Sequence, residues 1–531
     1  MGSGPKVART AAGSYMRTSS GLVRAVGTFD TFLYGIMQVA IAYVIFMIAT
    51  WFLYPGASME LAMLIAVAGA VPLAVTYALF SAVYPRSGGE YVFLSRTTHP
   101  ALGFVLSFAM ALWQCFYVGL NGAFTVVYGI APLFAVLGLQ TRSGALTDVG
   151  EFFGRDAGMF VGGAAMIALF AFLLCRGMRT YFRVQKLVAL VAFPSLALTL
   201  LVLLLTATGT IDFGSAFDDL AGRGAHDAVL AGTAADGVNL DPGFSFKQTL
   251  FFVIWPAFSV LFPVLAVSFS GEIKNVRRGQ LLGMTSSVVV GGAMLLIVMV
   301  LTRSAVGADW LIAASASADF PLSTPPFANT IAAIAGGSWV LTLLMGVWVV
   351  ALMGYTVGVV AVYASRALFA WGVDDVAPAA LGSTSSRSRA PVTAIVTAAA
   401  VGLVCLALYA FSDWVTILSG LVGFTVVFFI TSIATALFPF THKEAFEGSP
   451  AAIRVGGVPL MTISGTLAAI FVAFCGWRAY VDEGFGANST RSLVVNLVVF
   501  AVGALWYLAV RQLRRREGLD LDRRFAEIPV E

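Results

Sequence analysis

The chain has 531 residues, 59% of them hydrophobic and only 11% charged, with a mean hydropathy of +0.91. Soluble domains carry about 25% charged residues, so the composition excludes a soluble globular protein and reads as an all-α polytopic membrane protein. The formal net charge of +4 is spread over short connections, forms no binding face and calls for no nucleic-acid partner.

Residues 1–28 carry four basic residues and no early apolar core, and read as a cytoplasmic N-terminal segment without a cleavable signal peptide. Twelve apolar runs follow, at 29–54, 61–83, 101–136, 157–175, 185–208, 248–271, 280–302, 337–370, 391–411, 414–440, 456–477 and 492–510. Each is long enough to cross about 30 Å of hydrocarbon as a helix. Residues 29–510 therefore read as one membrane domain, and 511–531 as a cytoplasmic C-terminal tail. With both termini inside, 24 of the 31 Lys and Arg fall on the cytoplasmic side and seven outside. This bias predicts a multi-pass cell-membrane protein with both termini in the cytoplasm.

In the first span, Gln38 is the one amide side chain of a 26-residue apolar run, either a pocket group or a polar tie between helices. In the third, Gln114, Tyr117 and Asn121 stand at i, i+3 and i+7 and share one helix face. The stretch 209–247, rich in Gly and Ala with six aspartates, could form a short helix or a lid, but its composition suggests a mobile, solvated outer connection. The sixth span carries Pro256 and Pro263. Each proline removes a backbone donor and crowds the preceding turn. Broken backbone at membrane depth is tolerated where it is packed in protein or lines a cavity, as at the substrate sites of secondary transporters; the plainer reading is a proline kink. Trp255, Phe258, Ser259 and Phe262 surround this point, and Tyr355 and Thr356 lie between Gly354 and Gly358 in the eighth span.

Glu90, Glu272, Arg366, Asp374 and Asp375 fall at cytoplasmic helix ends. Ion pairs among them would close an inner gate; solvated interfacial charges are the simpler alternative. No Asp or Glu lies in the body of any span as drawn, so no buried carboxylate marks a proton path. Cys115, Cys175, Cys405 and Cys475 share no metal-ligand spacing and read as packing residues. His99, His226 and His442 lie in loops. No nucleophile–base pair or phosphate loop is present, so neither an enzyme nor a cofactor or metal centre is expected.

Four segments resemble one family. Pro85-Arg-Ser-Gly-Gly-Glu-Tyr-Val-Phe-Leu-Ser-Arg96, with Pro100-Ala-Leu-Gly-Phe104, is similar to the loop between the second and third spans of amino acid–polyamine–organocation (APC) transporters. Gly271-Glu-Ile-Lys-Asn275 with Arg277 resembles the end of their sixth span, and Ser365-Arg-Ala-Leu-Phe-Ala-Trp-Gly-Val-Asp374 the end of their eighth. Ser20 to Asp30 resembles the entry to their first. The resemblance implies a five-helix inverted repeat, spans 1–5 and 6–10, with discontinuous spans 1 and 6 and two peripheral helices. Broken helix ends offer amide donors to a carboxylate and carbonyls to an ammonium group.

By that resemblance Gly35, Gln38, Ala40 and Ala42 of span 1, Tyr117 of span 3, and Phe258, Ser259 and Phe262 of span 6 form the substrate site. Glu90, Glu272, Arg366 and Asp374 form a gate, and Thr356 is a candidate cation ligand. The first span departs from the family in having few glycines, Tyr34-Gly-Ile-Met-Gln-Val-Ala-Ile-Ala42, which predicts a shorter or displaced break because alanine is a good helix former. The lysine that proton-coupled relatives place in the fifth span is replaced by Ala192. Coupling to sodium or protons, uniport and exchange all stay open. The expected function is a secondary transporter for an amino acid or related small solute. The alternatives are a transport-inactive receptor on the same fold and a polyamine or organic-cation carrier.

Overall fold

The computed structural model describes residues 22–412, 419–521 and 525. The lead-in at Ser20, the start of the expected tenth span and the end of the C-terminal tail lie outside the described residues. Twelve described helices are long and apolar enough to cross a membrane. Spans 1 to 6 are Thr28–Leu53, Met59–Val83, Pro100–Thr141, Asp156–Cys175, Met178–Ala207 and Phe246–Glu272. Spans 7 to 12 are Val276–Val306, Trp339–Val373, Val392–Phe411, Leu421–Thr441, Leu460–Val481 and Thr490–Arg516. The only strands among the described residues are Arg454–Val455 and Val458–Pro459, a small hairpin between spans 10 and 11. We call the face from which the chain enters span 1 and leaves span 12 the near face, and the opposite one the far face.

Local chemistry sets several span starts. Ser58 accepts from the Leu61 amide at 3.2 Å, Asn275 from the Arg278 amide at 3.2 Å, and Ser338 from the Leu341 amide at 3.3 Å. Each thereby satisfies an orphan donor of the first turn. Pro100 occupies the first turn of span 3, where its missing N–H costs nothing.

Spans 1 and 6 are both interrupted. Span 1 runs as α-helix to Val39, turns at Ala40 with φ 51° and ψ 57°, passes through a 3₁₀ turn at Ile41–Tyr43 and resumes as α-helix at Val44–Thr50. The break is thus short, as the scarcity of glycine predicts, and a single left-handed alanine makes it. Span 6 is α-helical over Phe246–Phe252 and Ile254–Val260, then tightens to 3₁₀ turns over Phe262–Glu272, with Pro263 in the first turn and a kink at Phe269, whose φ −114° and ψ 27° are not helical. Such runs rarely exceed three or four residues, and this stretch is buried from Pro263 to Glu272. Span 3 has a π-helical turn at Thr125–Ile130.

Span 1 lies against span 7 through small residues. A Cβ on Gly283 would sit 2.7 Å from Thr31, and one on Gly291 2.6 Å from Val39; such close approach drives helix association where no hydrophobic force between helices exists. At the near face, Ala25 and Val26 each donate a backbone amide to the Glu272 carbonyl at 2.9 Å, and Lys274 N–H returns to Val26 O at 3.1 Å. The entry to span 1 is thereby stitched to the exit of span 6.

The far-face connection 209–247 is not the mobile, solvated loop expected. It holds helices Phe213–Ala221 and Ala225–Ala235. Phe213 and Phe217 pack edge-on against buried Trp310, and His226 stacks on the same ring at 4.7 Å. Two phenylalanines one helical turn apart supply an apolar stripe that the local Gly, Ala and Asp content concealed.

Candidate functional site

A cavity of about 260 Å³ lies where the interrupted parts of spans 1 and 6 meet. Span 1 contributes Gln38, Ala40 and Tyr43; span 3 Gln114, Tyr117 and Asn121; span 6 Trp255, Phe258, Ser259 and Phe262. Thr356 of span 8, Leu421 and Phe424 of span 10 and Phe485 of the loop between spans 11 and 12 also line it. Nine of its twenty lining residues are aromatic. Phe262 meets Phe424 edge-on at 5.4 Å, and Tyr117 lies 5.7 Å from the same ring. Among the described residues no Asp, Glu, Lys or Arg lines it, so what those residues offer a ligand's charges is backbone dipoles and neutral side chains.

The polar groups are few and mostly engaged. Tyr43 donates to Asn121 Oδ1 at 2.7 Å, tying the 3₁₀ turn of span 1 to span 3. Gln38 donates to the Tyr34 hydroxyl at 3.2 Å, and Tyr34 to Val359 O of span 8 at 2.8 Å. Gln38 is therefore both a tie between helices and a cavity residue. Thr356 donates to Met353 O of its own helix at 2.6 Å. The Gln114 amide reaches Met110 Sδ at 3.9 Å, while its buried Oε1 has no partner among the described residues.

Of the residues expected to bind substrate, Gln38, Ala40, Tyr117, Phe258, Ser259 and Phe262 line this one cavity, and so does Thr356. Gly35 and Ala42 do not. Gly35 lies on the span 7 side of the helix, where a Cβ would sit 2.1 Å from Ser287 Oγ. Ala42 is fully buried, rotated away by the 3₁₀ turn that follows the break. Tyr43, Phe424 and Phe485 were not anticipated: Tyr43 comes round only through the left-handed turn at Ala40, and nothing in the sequence marks Phe485.

A family model described as amino acid permease matches residues 26–505. The chain belongs to that family, within the APC superfamily. Its members transport amino acids or related solutes. No curated protein matches the chain closely enough to serve as a relative.

The permease's near half holds three buried polar contacts. Arg366 donates from Nε to Glu272 Oε1 at 3.0 Å, with the two side chains 1% and 5% exposed. Arg96 holds both Asp374 oxygens, at 2.8 and 2.7 Å. Glu90 is fully buried and accepts from the Tyr363 hydroxyl; its second oxygen has no partner among the described residues. The expected cluster therefore divides: Glu272 and Arg366 meet each other, whereas Asp374 pairs with Arg96 and Glu90 with a tyrosine. Asp375 is set aside at φ +60°, its carbonyl accepting from Arg514 at 2.9 Å. Glu90 lies outside the spans, and burial pushes its carboxyl up to about 7 because desolvation disfavours the charged form.

Proposed function

We propose that this permease is a secondary transporter that moves an amino acid or related small organic solute by alternating access, with both termini in the cytoplasm. The near face is then the cytoplasmic one. The observation that carries the reading is the aromatic cavity at the paired interruptions of spans 1 and 6. An interrupted helix presents unpaired amide donors on one side and carbonyls on the other. A zwitterion answers both without a charged side chain in the wall. An absence of acidic groups in that wall argues against a polyamine. Gln38, Tyr117, Ser259 and the unpartnered Gln114 oxygen are the side chains that meet the ligand's polar end; Phe258 and Phe262 meet its apolar end.

The pairs Arg366–Glu272 and Arg96–Asp374, with Glu90, act as the inner gate in this reading. Thr356 is the side chain proposed for a coupling cation, with sodium and protons the two candidates. The experiment is thermal stabilisation of the purified protein across amino acids, polyamines and nucleobases, with and without sodium, followed by uptake into proteoliposomes. A ligand at a hundred times its dissociation constant stabilises by about 2.7 kcal/mol. Gln38→Ala and Tyr117→Ala should each weaken the ligand that binds. Binding without uptake under any gradient would favour the receptor reading.

A further inference from the structure

A third buried ion pair lies at the far face, beyond the two of the near half. Asp482 follows the last residue of span 11. Its Oδ2 accepts from Arg478 at 2.8 Å and from the Tyr54 hydroxyl at 2.8 Å, and its Oδ1 accepts from the Phe485 amide at 3.2 Å. The Tyr54 oxygen accepts in turn from Trp255 Nε1 at 3.1 Å. The Arg478 and Asp482 side chains are 3% and 7% exposed, and the Arg478 guanidinium sits 3.7 Å over the Phe251 ring. One carboxylate thus gathers the outer end of span 1 through Tyr54, the outer half of span 6 through Tyr54 to Trp255, the end of span 11, and the backbone of the loop beyond it.

That loop enters the cavity. Phe485 stacks on Phe258 with centroids 5.6 Å apart and an interplanar angle of 20°, and meets Trp255 edge-on at 4.9 Å. It is the one cavity residue that comes from the loop between spans 11 and 12. A phenylalanine on a short connection would ordinarily sample many rotamers and backbone states. Here the amide is fixed by Asp482 and the ring is held between two aromatic faces.

We propose that Asp482 is the latch of the far gate, and that through it Phe485 is positioned as the residue that bounds the substrate's apolar end. The outer halves of spans 1 and 6 cannot part without breaking the Tyr54–Trp255 bond. Because the loop is tied to span 1 through Tyr54–Asp482 and to span 6 through the Phe485 ring on Trp255 and Phe258, parting them must also either break the Tyr54–Asp482 bond or draw the Phe485 ring off span 6. Phe485 contacts the ligand, whereas Asp482, Tyr54 and Arg478 act through it and are positioning residues. The substrate part of this inference rests on the transport reading; the latch part does not.

The test has two arms. In the first, a single cysteine at Ser259→Cys, in a chain whose four native cysteines are replaced, is labelled by a membrane-impermeant maleimide added to the far face of reconstituted protein. Tyr54→Phe removes two hydrogen bonds, the one to Asp482 and the one from Trp255, while keeping the ion pair, and should raise the labelling rate at least tenfold. Asp482→Asn should do the same, although it strands the buried Arg478 charge and risks misfolding. Phe485→Ala should also raise it, and Asp482→Glu should restore the slow rate. Rates unchanged in Tyr54→Phe and Phe485→Ala would overturn the latch whether or not the protein transports. In the second arm, uptake of alanine, leucine and tryptophan is compared. Phe485→Ala should shift the ratio of KM for tryptophan to KM for alanine about tenfold in favour of tryptophan, and Tyr54→Phe should shift it the same way by less. An unshifted ratio in a variant that transports would overturn the specificity role. If the wild type moves none of the three, the specificity role for amino acid side chains fails, the broader transport reading is decided by the ligand panel, and the labelling arm alone decides the latch.

Discussion

Arg366 and Glu272 face each other at 3.0 Å across the near half of the bundle, both buried and joining span 8 to the end of span 6. The Glu272 carbonyl simultaneously receives the amides of Ala25 and Val26, so one residue links three parts of the near face. Removing one partner leaves a buried charge without compensation. Arg366→Ala or Glu272→Ala should each cost about 3–5 kcal/mol of stability. The Arg366→Met/Glu272→Leu double variant should recover most of that loss, because packed apolar groups need no desolvated charge to be matched. Thermal unfolding in detergent of the two single variants and the double reads this directly; additive losses would contradict it.

Ala40 is held at φ 51°. A left-handed conformation costs an L-residue roughly 1–2 kcal/mol, and glycine in the unfolded chain gives back about 0.4–1 kcal/mol of entropy. The balance favours glycine: Ala40→Gly should stabilise the protein by about 0.5–1 kcal/mol and leave the break in place. A lower melting temperature would mean that the methyl group's packing in the cavity wall outweighs the backbone strain.

Glu90 gives a pH dependence with a definite sign. Its carboxyl is pushed up to about 7 from an ordinary value of 4.5, so the folded state binds a proton that the unfolded chain has lost. The stabilisation is fully present below about 4.5, fades as pH rises toward 7, and is gone above it. Two and a half units correspond to on the order of 3 kcal/mol. Glu90→Gln should flatten the melting temperature between pH 5 and 7.5 and hold it near the acid value. A wild-type stability that rises with pH in that window, with the variant unchanged, would rule this out.

Gly35 permits the contact between spans 1 and 7. An added Cβ would lie 2.1 Å from Ser287 Oγ and 2.6 Å from Ser287 Cβ, and neither helix can retreat without loosening the Gly283 and Gly291 contacts. Gly35→Ala should destabilise by roughly 1–3 kcal/mol, the usual cost of overpacking. Ser287→Gly, which removes both clashing atoms, should restore much of it. Rescue is the decisive reading, since a loss from helix flexibility alone would not respond to span 7.

The class, the twelve spans and the family were legible in the sequence because each depends on a property that adds along the chain. Apolar length decides what crosses a membrane, and short signatures such as Gly271-Glu-Ile-Lys-Asn275 carry local chemistry, here the Asn275 cap that starts span 7. The proline break of span 6 and the shortened break of span 1 were legible too, since Pro263 and the scarcity of glycine act within a few residues. What only the tertiary structure decided was which side chains face one another. Gly35 and Gln38, one turn apart, divide between a helix interface and the cavity. Glu90 took a tyrosine and Asp374 an arginine from another segment, instead of the partners their shared position at helix ends suggested. Phe485 reached the cavity, and Asp482 reached Tyr54, from a peripheral loop more than two hundred residues from spans 1 and 6. Such pairings are set by how helices pack and rotate in three dimensions, and a membrane sequence rich in interchangeable apolar residues gives little indication of that rotation.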